Sequence, residues 1–220
     1  MSIRNRLPAT VFLALATLAV LSGCKSKGEI VLNEGVGITA VRTRCPAVGI
    51  PNFTGDVTLF RTASNKSAEN IDIVAAMTNV RSSCSESGDK VVANTSFEVL
   101  ARRNDTRGAR QVSLPYFVSV LQGSGSVVSK RVGSVTVTFA DGQDRARASG
   151  QGSAYIDRAA ATLPDDIRKR LTRKRKAGDA DAAIDPFADP EVKAALARAT
   201  FEVLLGFQLD QEQLAYNATR

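Results

Sequence analysis

The sequence predicts a mainly β protein: an antiparallel β-sandwich, immunoglobulin-like or related, followed by a C-terminal helical segment. Three observations carry this expectation. Period-two alternation runs through the middle of the chain, polar turn signals separate the alternating stretches at hairpin spacing, and the pattern changes after Pro164. A flattened partial barrel is the architectural alternative for the same strands.

The elements follow in order. Residues 30–41 mix Val, Ile and Leu with Gly35 and Gly37, as a first edge strand would. Residues 57–61 and 71–81 are the next two strand candidates, and 82–90, polar and containing Gly88 and Asp89, reads as the loop to a third. That third strand, 91–102, gives the clearest signal: Val91, Ala93, Thr95, Phe97, Val99 and Ala101 alternate with Val92, Asn94, Ser96, Glu98, Leu100 and Arg102. One side of it can face a core. After a loop at 104–108 come a strand over 114–121, with Pro115 suited to its start or to an edge, and a turn at Gly123-Ser124-Gly125-Ser126. A strand over 127–139, a turn at Asp141-Gly142 and a strand over 146–156 complete the set.

Beyond Pro164 the pattern is helical. Asp165 and Asp166 suit a helix N-terminus, and 168–176 places seven positive charges in nine positions. Residues 178–189, rich in Ala and Asp, read as an acidic linker. Asp189-Pro190-Glu191 then supplies an N-cap, a Pro at the first helical position and an acid behind it. Val192, Leu196, Ala199 and Val203 fall on one face of the expected last helix, which Phe201, Leu204, Leu205 and Phe207 widen. Its extra apolar width, at Leu204, Leu205 and Phe207, is a candidate partner-binding surface; simple docking onto the sandwich is the other reading. Asp210 with Gln213 three positions later suggests a capping box for a short second turn, before a polar tail from Asn217 to Arg220.

At the other end, residues 2–6 are short and basic, and 7–21 are nearly all apolar and uncharged. That run falls short of the roughly 20 residues a bilayer span needs, and Ser22, Gly23 and Cys24 follow it with small side chains. Leu21-Ser22-Gly23-Cys24 resembles the lipobox of the bacterial lipoprotein class. The resemblance covers about the first tenth of the chain. It implies that a diacylglycerol joins the Cys24 thiol, that signal peptidase II cuts before Cys24, and that the new amino group is acylated. Three acyl chains would anchor the protein stably in a membrane. Lys25, standing where inner-membrane lipoproteins of enterobacteria typically carry Asp, points by the same resemblance to the outer membrane and its periplasmic face.

The resulting organisation is a signal peptide at 1–23, a lipidated tether at 24–29, the sandwich at 30–160, a basic helix and acidic linker at 161–189, and the amphipathic helix and tail at 190–220. Loss of the first 23 of 220 residues leaves 197, and loss of Arg4 and Arg6 takes the net charge from +7 to +5. The composition, 44% hydrophobic and 23% charged, is that of a folded chain. The absence of His removes the commonest general base and transition-metal ligand, and the absence of Trp removes a Trp platform for sugars.

With Cys24 acylated, Cys45 and Cys84 remain as an even pair in an oxidising compartment, which predicts a disulfide. Nucleophile elbows, phosphate loops and dinucleotide motifs are missing, and Asp56, Asp72, Glu98, Asp141 and Asp144 show no spacing that selects two of them for acid–base work. The Asp141–Asp144 turn holds a fragment of a calcium-loop pattern without its terminal Glu. No catalytic residue, metal site or cofactor is therefore assigned, and the expected role is a non-enzymatic structural or accessory factor that binds another envelope component. A module for an anionic lipid or glycan is the alternative, and an unconventional carboxylate hydrolase a third. The basic cluster Arg168, Lys169, Arg170, Arg173, Lys174, Arg175 and Lys176 is the candidate contact with an anionic surface; export argues against nucleic acid. Its alternative is an exposed face neutralised by the aspartates downstream.

Overall fold

The computed structural model describes residues 43–123 and 125–220. The lipobox with Cys24, the tether and the expected strand at 30–41 lie outside the described residues. Within them, two four-stranded sheets pack face to face, as a β-sandwich requires. The second sheet is the simpler. It contains β2 (Asp56–Phe60), β3 (Ile71–Ser87), β4 (Lys90–Arg103) and β7 (Arg145–Asp157) in that spatial order, all antiparallel. The first sheet has the order β1 (Ala47–Gly49), β8 (Phe201–Phe207), β5 (Arg110–Gln122), β6 (Ser126–Phe139).

The alternation expected of 91–102 is realised without a break: Val91, Ala93, Thr95, Phe97, Val99 and Ala101 are buried. They face Val118, Val120, Val135, Val137 and Phe139 of the other sheet across one aliphatic core. The expected loop at 82–90 is a strand instead. β3 continues to Ser87, pairs with β4 as far as Lys90, and turns on Gly88, whose φ of 59° meets the demand of a two-residue hairpin. A serine-rich stretch can do this because the long ladder to β4 satisfies its backbone while its side chains remain largely in water.

A larger correction concerns the C-terminus. The expected single helix stops early: α2 (Pro190–Ala199) is capped by the Asp189 side chain on the amides of Glu191 and Val192, and Thr200 already lies in extended backbone. Phe201–Phe207 is then β8, the strand between β1 and β5. Phe201, Val203, Leu205 and Phe207 all point into the core, and Glu202 stays exposed. Leu205 and Phe207 are therefore core residues on a strand, not a partner-binding helix face, and Leu204 is half-buried on the opposite side. Two periodicities compete over 192–207, and the burial available in the middle of a sheet selects the period of two.

The last helix, α3 (Gln211–Thr219), carries the expected capping box between Asp210 and Gln213. The expected polar tail belongs to it. Asn217 is buried and donates to the Phe53 and Asp56 carbonyls at 2.8 Å each, while Tyr216 meets Phe60 edge-on at 5.1 Å, so the helix closes over the outside of β2.

Two further interactions fix the ends of the sandwich. Cys45 and Cys84 form the disulfide, joining the segment before β1 to the inner side of β3. At the opposite end Arg103 is almost completely buried and meets no carboxylate among the described residues. Its guanidinium donates at 2.8 Å to the carbonyls of Gln143, Gly108, Thr106 and Ala140, and lies 5.2 Å from the centre of the Phe139 ring. A buried cation is tolerable when its donors are satisfied in this way, and these four bonds bind the 104–108 loop to the Asp141-Gly142 turn.

Two stability predictions follow from these placements. Phe207→Ala should cost about 3–5 kcal/mol in urea unfolding, as a truncated core aromatic does; a cost near zero would return this segment to the surface. Reduction of the 39-residue disulfide loop should cost up to about 4 kcal/mol, read as a shift of the urea midpoint with and without reductant.

Candidate functional site

Several places on the described surface combine concavity with polar groups, and the sequence marked one of them as a candidate site. That one is the basic cluster. Helix α1 (Asp165–Thr172) buries Ile167 and Leu171 against Val192 and Ala195 of α2, with Leu163, Phe187 and Leu196 at the margin of this small second core. The acidic stretch 178–189 is not a loose linker here. It holds a short 3-10 turn, Pro186–Ala188, with Asp185 accepting from the Phe187 amide at 2.9 Å.

This packing pairs most of the cluster internally. Arg168 meets Asp165 at 2.6 Å; Arg170 meets Glu191 at 2.7 Å and also Asp189; Arg173 reaches Asp181 at 3.2 Å and Asp179 at 3.7 Å. Arg175 is 5% exposed and lies 3.4 Å from Asp181. The expectation that Arg175 contacts an anionic surface is thereby corrected: burial removes it from any such surface. Lys169, Lys174 and Lys176 are the members of the cluster whose ammonium groups make no ion pair among the described residues. The Asp189 carboxyl is held below the ordinary carboxylate range, first by the hydrogen bond from the Glu191 amide and then by the Val192 amide and Arg170.

The five separate carboxylates also have structural partners. Asp72 takes both Arg110 guanidinium nitrogens at 2.7 and 2.8 Å, Asp141 accepts from the Gly108 amide at 2.6 Å, and Asp56 pairs with Arg220. Asp144 stands 3.7 Å from Arg102 and 3.8 Å from Arg145, and Glu98 stands 3.8 Å from Arg147. Among the described residues no three His, Cys, Asp or Glu side chains gather as metal ligands.

A second place, of about 610 Å³, lies beside the disulfide end, where Arg44 bridges to Glu86 at 2.8 Å and to Thr162 at 3.0 Å. Ala161, Leu163, Leu171, Phe187 and Leu196 make its apolar wall. The third place is a cleft of about 440 Å³ between β6 and β7. Among the described residues these strands are the last members of their respective sheets and are not hydrogen-bonded to one another, although the Asp141-Gly142 turn joins them. Tyr116 crosses the opening: its ring meets Phe97 edge-on at 4.9 Å, and its hydroxyl donates to the Gln151 carbonyl on β7 at 2.6 Å. Gly133 permits this passage, since a Cβ there would come 2.6 Å from the Tyr116 ring.

The outer half of β6 projects past the cleft. Val127, Val128 and Val132 are all at least half exposed, an unusual run of apolar groups on an unpaired strand edge. Lys130 lies 5.1 Å over the Phe117 ring, and Arg131 lies 5.3 Å over Tyr155 across the cleft mouth. The sequence marked these residues as strand without marking them as a site. The available signal was Val127-Val128, two adjacent apolar residues on an edge strand. Comparisons with family models, curated proteins and solved structures find no match for the chain.

The paired state of the basic cluster makes two expectations concrete. Converting Arg173, Lys174, Arg175 and Lys176 together to Gln should lower the melting temperature by several degrees, with Arg175→Gln causing most of the loss; an unchanged melt would show a merely solvated cluster. Because the folded Asp189 carboxyl is more acidic than the unfolded one, its contribution is complete above about pH 4 and disappears as pH falls through its lowered folded value. Asp189→Asn should flatten that acid limb of a melting-temperature profile measured against pH.

Proposed function

We propose that this protein is an exported bacterial envelope lipoprotein that works by binding, not catalysis, and that the β6–β7 cleft accepts an extended segment of another envelope protein. The observation that carries the binding role is the pair of facing, unjoined strand edges. Unpaired edge amides and carbonyls are a template for an added strand, while side pockets select its residues. Val127, Val128 and Val132 supply apolar contact, and Lys130 and Arg131 favour an acidic neighbour over a basic one. The Leu21-Ser22-Gly23-Cys24 box supports export and anchoring through Cys24, with Lys25 favouring the outer membrane. A Cys45–Cys84 disulfide agrees with an oxidising compartment.

Two measurements test the two halves of this reading. Intact-mass analysis of protein purified from membranes should give a chain that begins at acylated Cys24, and Cys24→Ala should remain unprocessed; an unmodified chain retaining residues 1–23 sinks the anchor. For the cleft, a photocrosslinking residue at Val132 should give a discrete protein adduct that one at Thr138 does not. Val128→Asp with Val132→Asp should reduce that adduct at least fivefold without changing the melt. Equal labelling from both positions defeats the cleft assignment.

A further inference from the structure

The outer face of the second sheet carries a row of arginines that the sequence does not bring together. Arg102 on β4 stands directly opposite Arg145 on β7, and Leu100 stands opposite Arg147 in the neighbouring row. On the other side of β4, Val74 faces Arg102 and Ala76 faces Leu100. The result is a shallow groove of about 770 Å³ with Val74, Ala76 and Leu100 as its floor and three guanidiniums along one side.

Like charges placed directly across a strand pair repel, so a folded sheet gains nothing from Arg102 opposite Arg145. The compensation visible is slight. Asp144 is shared between them at 3.7 and 3.8 Å, Glu98 reaches Arg147 at 3.8 Å, and the three arginine side chains are 65–80% exposed. Elsewhere in the same molecule arginines are held closely: Arg110 grips Asp72 with two bonds of 2.7 and 2.8 Å, and Arg103 makes four at 2.8 Å. The forks of Arg102, Arg145 and Arg147 thus remain open toward solvent, next to an apolar floor in which Leu100 is 43% exposed. A bidentate guanidinium fits a phosphodiester, and an apolar floor fits the chains attached to it.

We propose that this groove binds the headgroup and upper acyl chain of an anionic phospholipid. The occupant supplies the negative charge that the Arg102–Arg145 pair lacks and covers Leu100. This site lies on the opposite sheet from β6 and depends neither on the cleft nor on the Cys24 anchor.

The test uses protein purified from membranes in neutral dodecyl maltoside micelles, with lipid adducts counted by native mass spectrometry. Dioctanoyl phosphatidylglycerol should be retained at least tenfold better than dioctanoyl phosphatidylcholine. Arg102→Gln with Arg145→Gln and Arg147→Gln should abolish that preference, and the melting temperature of this variant at low salt should hold or rise as the repulsion disappears. Should the triple variant fail to fold, Arg145→Gln alone, at the sheet edge, should still reduce the preference several-fold. Leu100→Asn should weaken phosphatidylglycerol retention and leave displacement by inorganic phosphate unchanged. No preference in the wild type, or a preference that survives in the folded arginine variants, overturns the proposal. Indifference to Leu100→Asn would assign the groove to a free anion, and stronger competition by polyglutamate than by the lipid would assign it to an acidic peptide; either also overturns it.

Discussion

The first sheet depends on one non-local event, the return of Phe201–Phe207 between β1 and β5. Without β8, β1 has no hydrogen-bonded strand neighbour among the described residues, where its three residues pair with Glu202, Val203 and Leu204. The same strand presents Phe201, Val203, Leu205 and Phe207 to the core that β4 and β5 bury. Roughly sixty residues separate β8 from the end of β6, so loop-closure entropy must be overcome before this burial is gained. The excursion itself lowers that cost by folding: α1 and α2 share a small core, and their ion pairs hold the acidic stretch in place. The disulfide then secures β1 from its other side.

Arginine distribution follows two different rules. In the basic cluster, charges adjacent in sequence are matched by Asp165 just upstream and by acids 6 to 21 positions downstream, and burial of Arg175 is tolerated near Asp181. A high local density of positive charge therefore says little about available positive potential. On the second sheet the reverse holds: Arg102, Arg145 and Arg147 are sparse along the chain, yet register places them side by side. Pairing, not number, decides which cations remain open to a partner.

The strands of the second sheet were largely legible, because β2, β3, β4 and β7 are local hairpin partners or carry uninterrupted alternation. β8 was also written in the sequence, as alternating Phe201, Val203, Leu205 and Phe207. The i, i+4 and i+3 spacing of Val192, Leu196, Ala199 and Val203 masked it, and no local rule says that a sheet lacks its central strand. The extension of β3 was hidden for a different reason: Ser82, Ser83, Ser85 and Ser87 have the composition of a loop, and only the facing ladder of β4 makes them a strand. The disulfide, which the structure shows, was expected from the two cysteines that remain if Cys24 is acylated. The arginine groove could not follow from spacing, since cross-strand neighbours are set by register and register by the whole sheet.

The choice between sandwich and partial barrel comes down to the space between β6 and β7. A barrel requires those two edges to pair, and the turn that joins them would permit it locally. Tyr116 stands in the way. Its ring passes β6 where Gly133 offers no side chain, and its hydroxyl takes the Gln151 carbonyl that a closing strand would need. A similar concession occurs on β7, where a Cβ at Gly150 would come 2.2 Å from the Phe97 ring. The two aromatic rings, packed edge to face at 4.9 Å, fill the lip of the core from within and hold the edges apart. The glycines that surrender their inward positions to Phe97 and Tyr116 thus complete the core and keep the two strand edges from pairing with each other. Closure and an accessible cleft are alternatives for the same backbone groups, and the Tyr116 hydroxyl selects the cleft.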